Sequence, residues 1–328
     1  MESDFLKDVK NLGQIYQTGY QYIKDRYDGK IKSLKTPWTC LDEATLDGLE
    51  WGSVMVIGAR PGSGKTAIAN MISRNAHDLN PDQDFMCLDF QFEMTDQSTA
   101  LRDFTSKFNK SYKELANVDN QMNEYELMKI NEYVKKKQNS KIFQVSTPMT
   151  VDRIRATILQ FLAKYKKPTV ITIDHSMLVQ AAPGSHTDFG KLFELGLMIS
   201  ELKRSSPLPV IFIVLTQMNR SIEDRNSSSS ANGDLSNYPQ TSDVYGGDAL
   251  LMTTDILLAV NYPAKLNLTQ YGPKKYIVHP DLIVFHFLKA RNGENSMFFF
   301  HQRFRYFDLA PVGEPPTAQA APLTSRRY

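Results

Sequence analysis

The chain has 328 residues, 41% of them hydrophobic, and a formal net charge of +2. This suffices for one large α/β domain with an extension or for two small domains, and the charge argues against wholesale coating of a polyanion. Cys40 and Cys87 have neither metal-ligand spacing nor a disulfide framework, the first residues are too acidic for a signal peptide, and no apolar run approaches a membrane span, so a soluble cytoplasmic protein without a membrane partner is expected.

Residues 1 to about 30 read as a helix. Phe5, Val9, Leu12, Ile15, Tyr16, Tyr20 and Ile23 recur mostly at three- and four-residue steps, with Gly13 and Gly19 inside the run. The stripe either packs on its own domain or docks on a neighbouring subunit. After a turn-rich approach over residues 41–52, strands are expected near 54–58, 85–90, 141–145, 169–174, 209–216, 255–260, 282–288 and 297–301. Helices are expected over about 66–78, 95–108, 122–137, 150–166 and 189–204. This alternation predicts an α/β fold with a mostly parallel sheet covered on both faces. Ligands then bind beyond the carboxyl ends of the strands, where all the motifs below are expected to fall. Residues 226–236 are Ser-, Asn- and Gly-rich and read as a loop, and the Pro- and Ala-rich stretch 311–328 as a disordered tail.

The most informative segment is Val54 to Thr66. An apolar strand enters Ala59-Arg60-Pro61-Gly62-Ser63-Gly64-Lys65-Thr66, and a helical run begins at Ala67. A polyphosphate needs backbone N–H donors, a flexible cation and a hydroxyl for Mg²⁺, and this strand–loop–helix offers all three. Ala59 stands where the usual pattern has Gly, and a small residue still fits.

Further strands end in polar groups. Residues 168–174 form an apolar run ending in Asp174, placed to hold the Mg²⁺ shell in a phosphate-loop protein. Residues 85–93 end in Glu93, ahead of a helix capped by Thr95, where a carboxylate can orient and deprotonate water. The run 210–217 ends in Gln217, which can bond a γ-phosphate or its attacking water, or simply cap the strand. The run 282–291 ends in Lys289 and Arg291 at alternating spacing. They form an anion clamp, a finger supplied in trans, or a solvated pair; local sequence leaves all three open.

Together, in order, these motifs resemble the ATPase domain of DnaB-type replicative helicases, within the RecA-like superfamily. The resemblance rests on Ala59–Thr66, Phe92-Glu93-Met94, Ile173-Asp174, Thr216-Gln217-Met218-Asn219-Arg220 with Glu223 and Arg225, Ser242-Asp243-Val244 with Asp255, and Lys289-Ala290-Arg291-Asn292-Gly293. It implies a RecA-like domain over 35–310, preceded by a linker helix and lead over 1–34 that packs on the next protomer of a hexamer. Lys65 would bind the phosphates of ATP and Thr66 and Asp174 Mg²⁺. Glu93 would be the catalytic base and Gln217 the γ-phosphate sensor. Lys289 and Arg291 would reach the adjacent subunit's ATP. Single-stranded DNA would meet loops near 180–190 and 236–250, with primase and a helicase loader as further partners in a bacterial cytosol.

The chain departs from the family in lacking the helical N-terminal domain, which fits a phage or plasmid replication system. It also carries Tyr245-Gly246 where the family commonly has Arg-Glu. Arg220, Tyr245 (by stacking on a base) and the Gly246-Gly247 backbone (by close approach to phosphates) are the DNA contacts this leaves. His175 replaces the Tyr of the family's Asp-Tyr pair. The expected function is therefore an ATP-dependent ring helicase. The rivals are a RecA-like ATPase that DNA stimulates without unwinding, and an adaptor that holds nucleotide as a structural ligand.

Overall fold

The computed structural model describes residues 9–118, 122–174, 179–180, 188–223, 238–245, 250–291, 293 and 296–318. In chain order the elements are α1 (Leu12–Tyr27), α2 (Thr39–Glu43), β1 (Val54–Ala59), α3 (Lys65–Leu79), β2 (Met86–Gln91), α4 (Asp96–Phe108), α5 (Tyr112–Ala116), α6 (Glu124–Lys137) and β3 (Ile142–Val145). There follow α7 (Val151–Tyr165), β4 (Thr169–Asp174), α8 (Asp188–Ser205), β5 (Val210–Gln217), β6 (Ile256–Asn261), β7 (Gln270–Tyr271), β8 (Tyr276–Ile277), β9 (Leu282–Ala290), β10 (Met297–Arg303) and β11 (Asp308–Val312).

Nine strands form one sheet in the order β11-β10-β9-β6-β1-β5-β4-β2-β3. From β6 to β3 neighbouring strands run parallel, and β9, β10 and β11 add an antiparallel flank beside β6. Alternation along β1 divides the core in two. Met55, Ile57 and Ala59 join the cluster that includes Ile68 and Ile72 of α3; Val54 and Val56 join the cluster under α7 and α8. A strand buried on both faces reads as a continuous apolar run, which is why β1, β4 and β5 stand out in the sequence. Local chemistry sets the helix starts. The hydroxyls of Thr95 and Thr150 accept from the backbone N–H groups of Ser98 and Arg153, and Asn123 and Glu126 form a capping box.

Two expectations need revision. Residues 311–318 are not a loose tail: β11 pairs antiparallel with β10, the Ile277 N–H donates to the Pro316 carbonyl, and the Ala318 N–H to the Lys275 carbonyl. Proline lacks a donor but keeps its acceptor, and Pro311 lies on the edge strand, where a missing N–H is tolerated. Residues 319–328 lie outside the described residues. α1, for its part, is one unbroken helix through Gly13 and Gly19, and none of its residues is buried. Leu12 is 65% and Tyr16 70% exposed. Polar contacts tether it: the Tyr22 hydroxyl donates to Glu50, and Arg26 donates to Ser33 and to the Leu46 carbonyl. The apolar stripe is therefore not packed on its own domain.

Candidate nucleotide site

The loop between β1 and α3 turns on two glycines with left-handed backbone, Gly62 (φ 74°) and Gly64 (φ 86°). Each is also hemmed in. A Cβ on Gly64 would lie 2.1 Å from the Phe304 ring, and one on Gly62 would lie 2.5 Å from Lys265 Nζ. No side chain caps the start of α3. Its first N–H groups, with the positive end of the helix dipole, are left for an anion. Lys65 and Ser63 are buried beside them.

A cavity of about 270 Å³ opens over this loop. Pro61, Gly62, Gly64, Lys65, Thr66 and Ala67 line one side, and Glu93 and Gln217 reach it from the ends of β2 and β5. Asp174, at the end of β4, is 2% exposed, and neither carboxylate oxygen has a hydrogen-bond partner. Burial pushes its carboxyl up to about 6, while Thr66 and Lys65 pull it down. A buried carboxylate without a partner, beside a threonine at the mouth of a phosphate loop, has the oxygen chemistry that Mg²⁺ requires. Thr66 and Asp174 thus fit that ion.

Other assigned residues take different places. The Arg60 guanidinium is engaged elsewhere: Nε donates to Glu223 at 2.7 Å and Nη1 to the Met218 carbonyl at 2.8 Å. It fixes the phosphate loop to the segment following Gln217. That segment is in turn bonded to residues 243–245. Asn219 N–H donates to the Asp243 carbonyl, Tyr245 N–H to the Gln217 carbonyl, and the Ser221 hydroxyl to the Asp243 carboxylate. Arg220 is exposed at the turn after β5 and Tyr245 is half-buried. Gly246, Gly247 and His175 lie outside the described residues, as do most of the loops 180–190 and 236–250.

Lys289 and Arg291 do not lie at the carboxyl edge of the parallel strands, contrary to expectation. β9 runs antiparallel to β6, so its end falls at the opposite edge: Ala290 pairs with Ile256, which pairs with Met55. Met55 to Ala59 is four steps along β1, so the pair lies about 13 Å or more from their own phosphate loop. There the Lys289 ammonium donates to the Leu251 carbonyl and the Arg291 guanidinium to Asp255 at 3.0 Å.

Arg102, Phe304, Phe307 and Lys265 also frame the site, and none belongs to a motif. Arg102, Phe304 and Phe307 line the cavity, Arg102 lies over the Phe307 ring, and the Lys265 ammonium donates to the Gly62 carbonyl at 2.8 Å. They come from α4, the 3-10 turn Pro263–Leu266 and the end of β10, elements that only the folded sheet brings to the loop. The only signal in the sequence was aromatic density over residues 298–307.

Comparison with known proteins agrees with this geometry. Residues 33–308 match the family described as the DnaB-like helicase C terminal domain. Curated relatives include the replicative DNA helicase DnaB of Helicobacter pylori strain J99, 27% identical over 70% of this chain and 44% of the relative. That of Mycoplasma genitalium is 27% identical over 90% of this chain and 62% of the relative. The chain thus spans about half the length of most curated relatives it matches. Among solved structures, an ATPase domain determined on its own superposes with a TM-score of 0.75 at 18% identity, covering 93% of this chain and 100% of that one. A DnaB-like replicative helicase, solved with attention to its interactions with primase, gives 0.74 at 18% identity, covering 92% of this chain and 69% of that one. The motif order, the RecA-like sheet and the family match over residues 33–308 converge: this chain belongs to the DnaB-like helicase C terminal domain family.

Proposed function

We propose that the chain is the motor of a ring helicase that hydrolyses ATP, translocates on single-stranded DNA and unwinds duplex during replication. Lys65 and the α3 amides bind the polyphosphate, and Thr66 and Asp174 hold Mg²⁺. The ion supplies charge neutralisation on the phosphate oxygens. Glu93 orients and deprotonates the attacking water, and Gln217 senses the γ-phosphate. The bonds from Gln217 and Asn219 to residues 243–245 carry that signal toward the DNA-facing loop.

One observation carries this reading. Lys289 and Arg291 lie at the edge of the sheet opposite their own phosphate loop. Any triphosphate they touch therefore belongs to another subunit, and a finger in trans contributes about 10³–10⁵ in rate. The exposed stripe of α1 supports the same assembly, a hexamer in which each linker helix covers its neighbour. Single-stranded DNA, primase and a loader are the partners this reading implies, in a bacterial cytoplasm.

The test is subunit mixing. K65A and R291A should each abolish ATP turnover, the first by losing nucleotide and the second with nucleotide still bound. Mixed, they should recover part of it in hybrid rings. No recovery at any ratio, with assembly verified by mass, refutes the shared site. The Tyr245-Gly246 departure favours the second reading, an ATPase without unwinding; a forked duplex that stays paired while DNA stimulates turnover would select it.

A further inference from the structure

Asp255 resembles part of a DNA-loop motif in sequence, yet its carboxylate lies at the finger edge. Every polar atom of this residue is in use. Its Oδ1 accepts from Arg291 Nη1 at 3.0 Å. Its Oδ2 accepts from the Val54 N–H at 2.9 Å and from the Lys203 ammonium. Its own N–H donates to the Val54 carbonyl, and its carbonyl accepts from the Arg291 N–H, both at 2.9 Å.

The surroundings are arranged for placement as well. The β9–β6 ladder shifts register between Leu257 and Leu258, inserting Leu288 as an extra residue just ahead of the finger. Such bulges re-aim the side chains that follow. After the finger, Gly293 is pressed so close to Ala44 that a Cβ would lie 2.0 Å from its carbonyl oxygen. The turn is thus held on both sides while the Arg291 side chain remains 67% exposed, against 11% for Asp255.

We propose that Asp255 is the positioning residue of the finger: it fixes the Arg291 guanidinium and ties it to the first residue of β1, the strand that ends in the phosphate loop. A free arginine has about 2 kcal/mol of rotamer entropy to lose on engaging a phosphate, and one already held by a carboxylate has less. Asp255 takes one of five N–H donors and leaves the others for the neighbour's nucleotide. Lys203 supplies the second cation that lets this largely buried carboxylate stay charged. The inference rests on Arg291 acting in trans.

Its test uses the full chain and the same mixing assay. D255N keeps an acceptor for the Val54 N–H and loses the charge. Turnover of the D255N ring should fall about 10²-fold, the cost of a misplaced catalytic group, with ATP affinity changed by less than about twofold. D255E should regain much of the loss. D255N should also behave as a finger defect. Mixed with K65A it should recover turnover; mixed with R291A it should not, because neither subunit then offers a placed finger. A fold or assembly defect would not be rescued by K65A.

Turnover of D255N at or above the unmodified rate overturns the assignment. So does failure of D255N to recover with K65A when R291A does recover with it. If K65A and R291A themselves do not recover, the shared-site reading falls, and the role of Asp255 falls with it.

Discussion

The two edges of the parallel sheet treat buried charge in opposite ways. At the carboxyl edge Asp174 is buried and both its oxygens lack partners. At the amino edge Asp255 is also largely buried, and both its oxygens are bonded, to Val54, Lys203 and Arg291. The first arrangement costs stability and is repaid only by a ligand; the second is complete within one subunit. The carboxyl edge is therefore built to receive something small and charged. The amino edge is built to present a group already in position.

Four experiments sharpen or break this contrast. Mixing K65A with R291A has the largest expected effect, because it reads the finger's contribution directly, and turnover should return from near zero. D255N comes next, as described above. D174N should abolish hydrolysis yet raise the stability of the nucleotide-free protein in EDTA by about 1–3 kcal/mol, because it removes an unpaired buried charge. D255N should lower stability by a similar amount, since it leaves Lys203 and Arg291 without their carboxylate. Chemical denaturation of the two variants side by side checks the sign, and a D174N protein less stable than the parent would break the comparison. Mg²⁺ with ATP should raise the melting temperature of the parent and have little effect on D174N. The smallest effect on the single subunit is expected from Y16S combined with I23S. Both side chains are exposed, so subunit stability should change by less than about 0.5 kcal/mol. Ring assembly, read by mass in solution, should nonetheless be lost.

Much of the fold was legible because the central strands are buried on both faces. Val54–Ala59, Thr169–Asp174 and Val210–Gln217 are short apolar runs bounded by turns, and their limits fall within a residue or so of expectation. The phosphate loop was legible for a different reason: its chemistry is local, and eight consecutive residues carry it. What the sequence concealed was direction and distance. Nothing in Leu282–Ala290 states that this strand runs against its neighbour, yet that alone moves Lys289 and Arg291 to the far edge. The pairing of Arg60 with Glu223 spans 163 positions, and the approach of Phe304 to Gly64 spans 240. β7 and β8 are two residues each, too short for a periodic signal. β11 was hidden by proline, whose composition reads as disorder even where its carbonyl is bonded.

That last strand has a practical consequence for anyone cutting the gene. The family match stops at residue 308, where β11 begins. A fragment ended there would leave the outer backbone of β10 bare and take away the Leu309 carbonyl that accepts from the Trp38 indole. Unpaired strand edges template aggregation. Expressed side by side, a fragment ending at 308 should go to the pellet, while one carried through 318 stays dispersed; equal yields would mean that the clasp is dispensable.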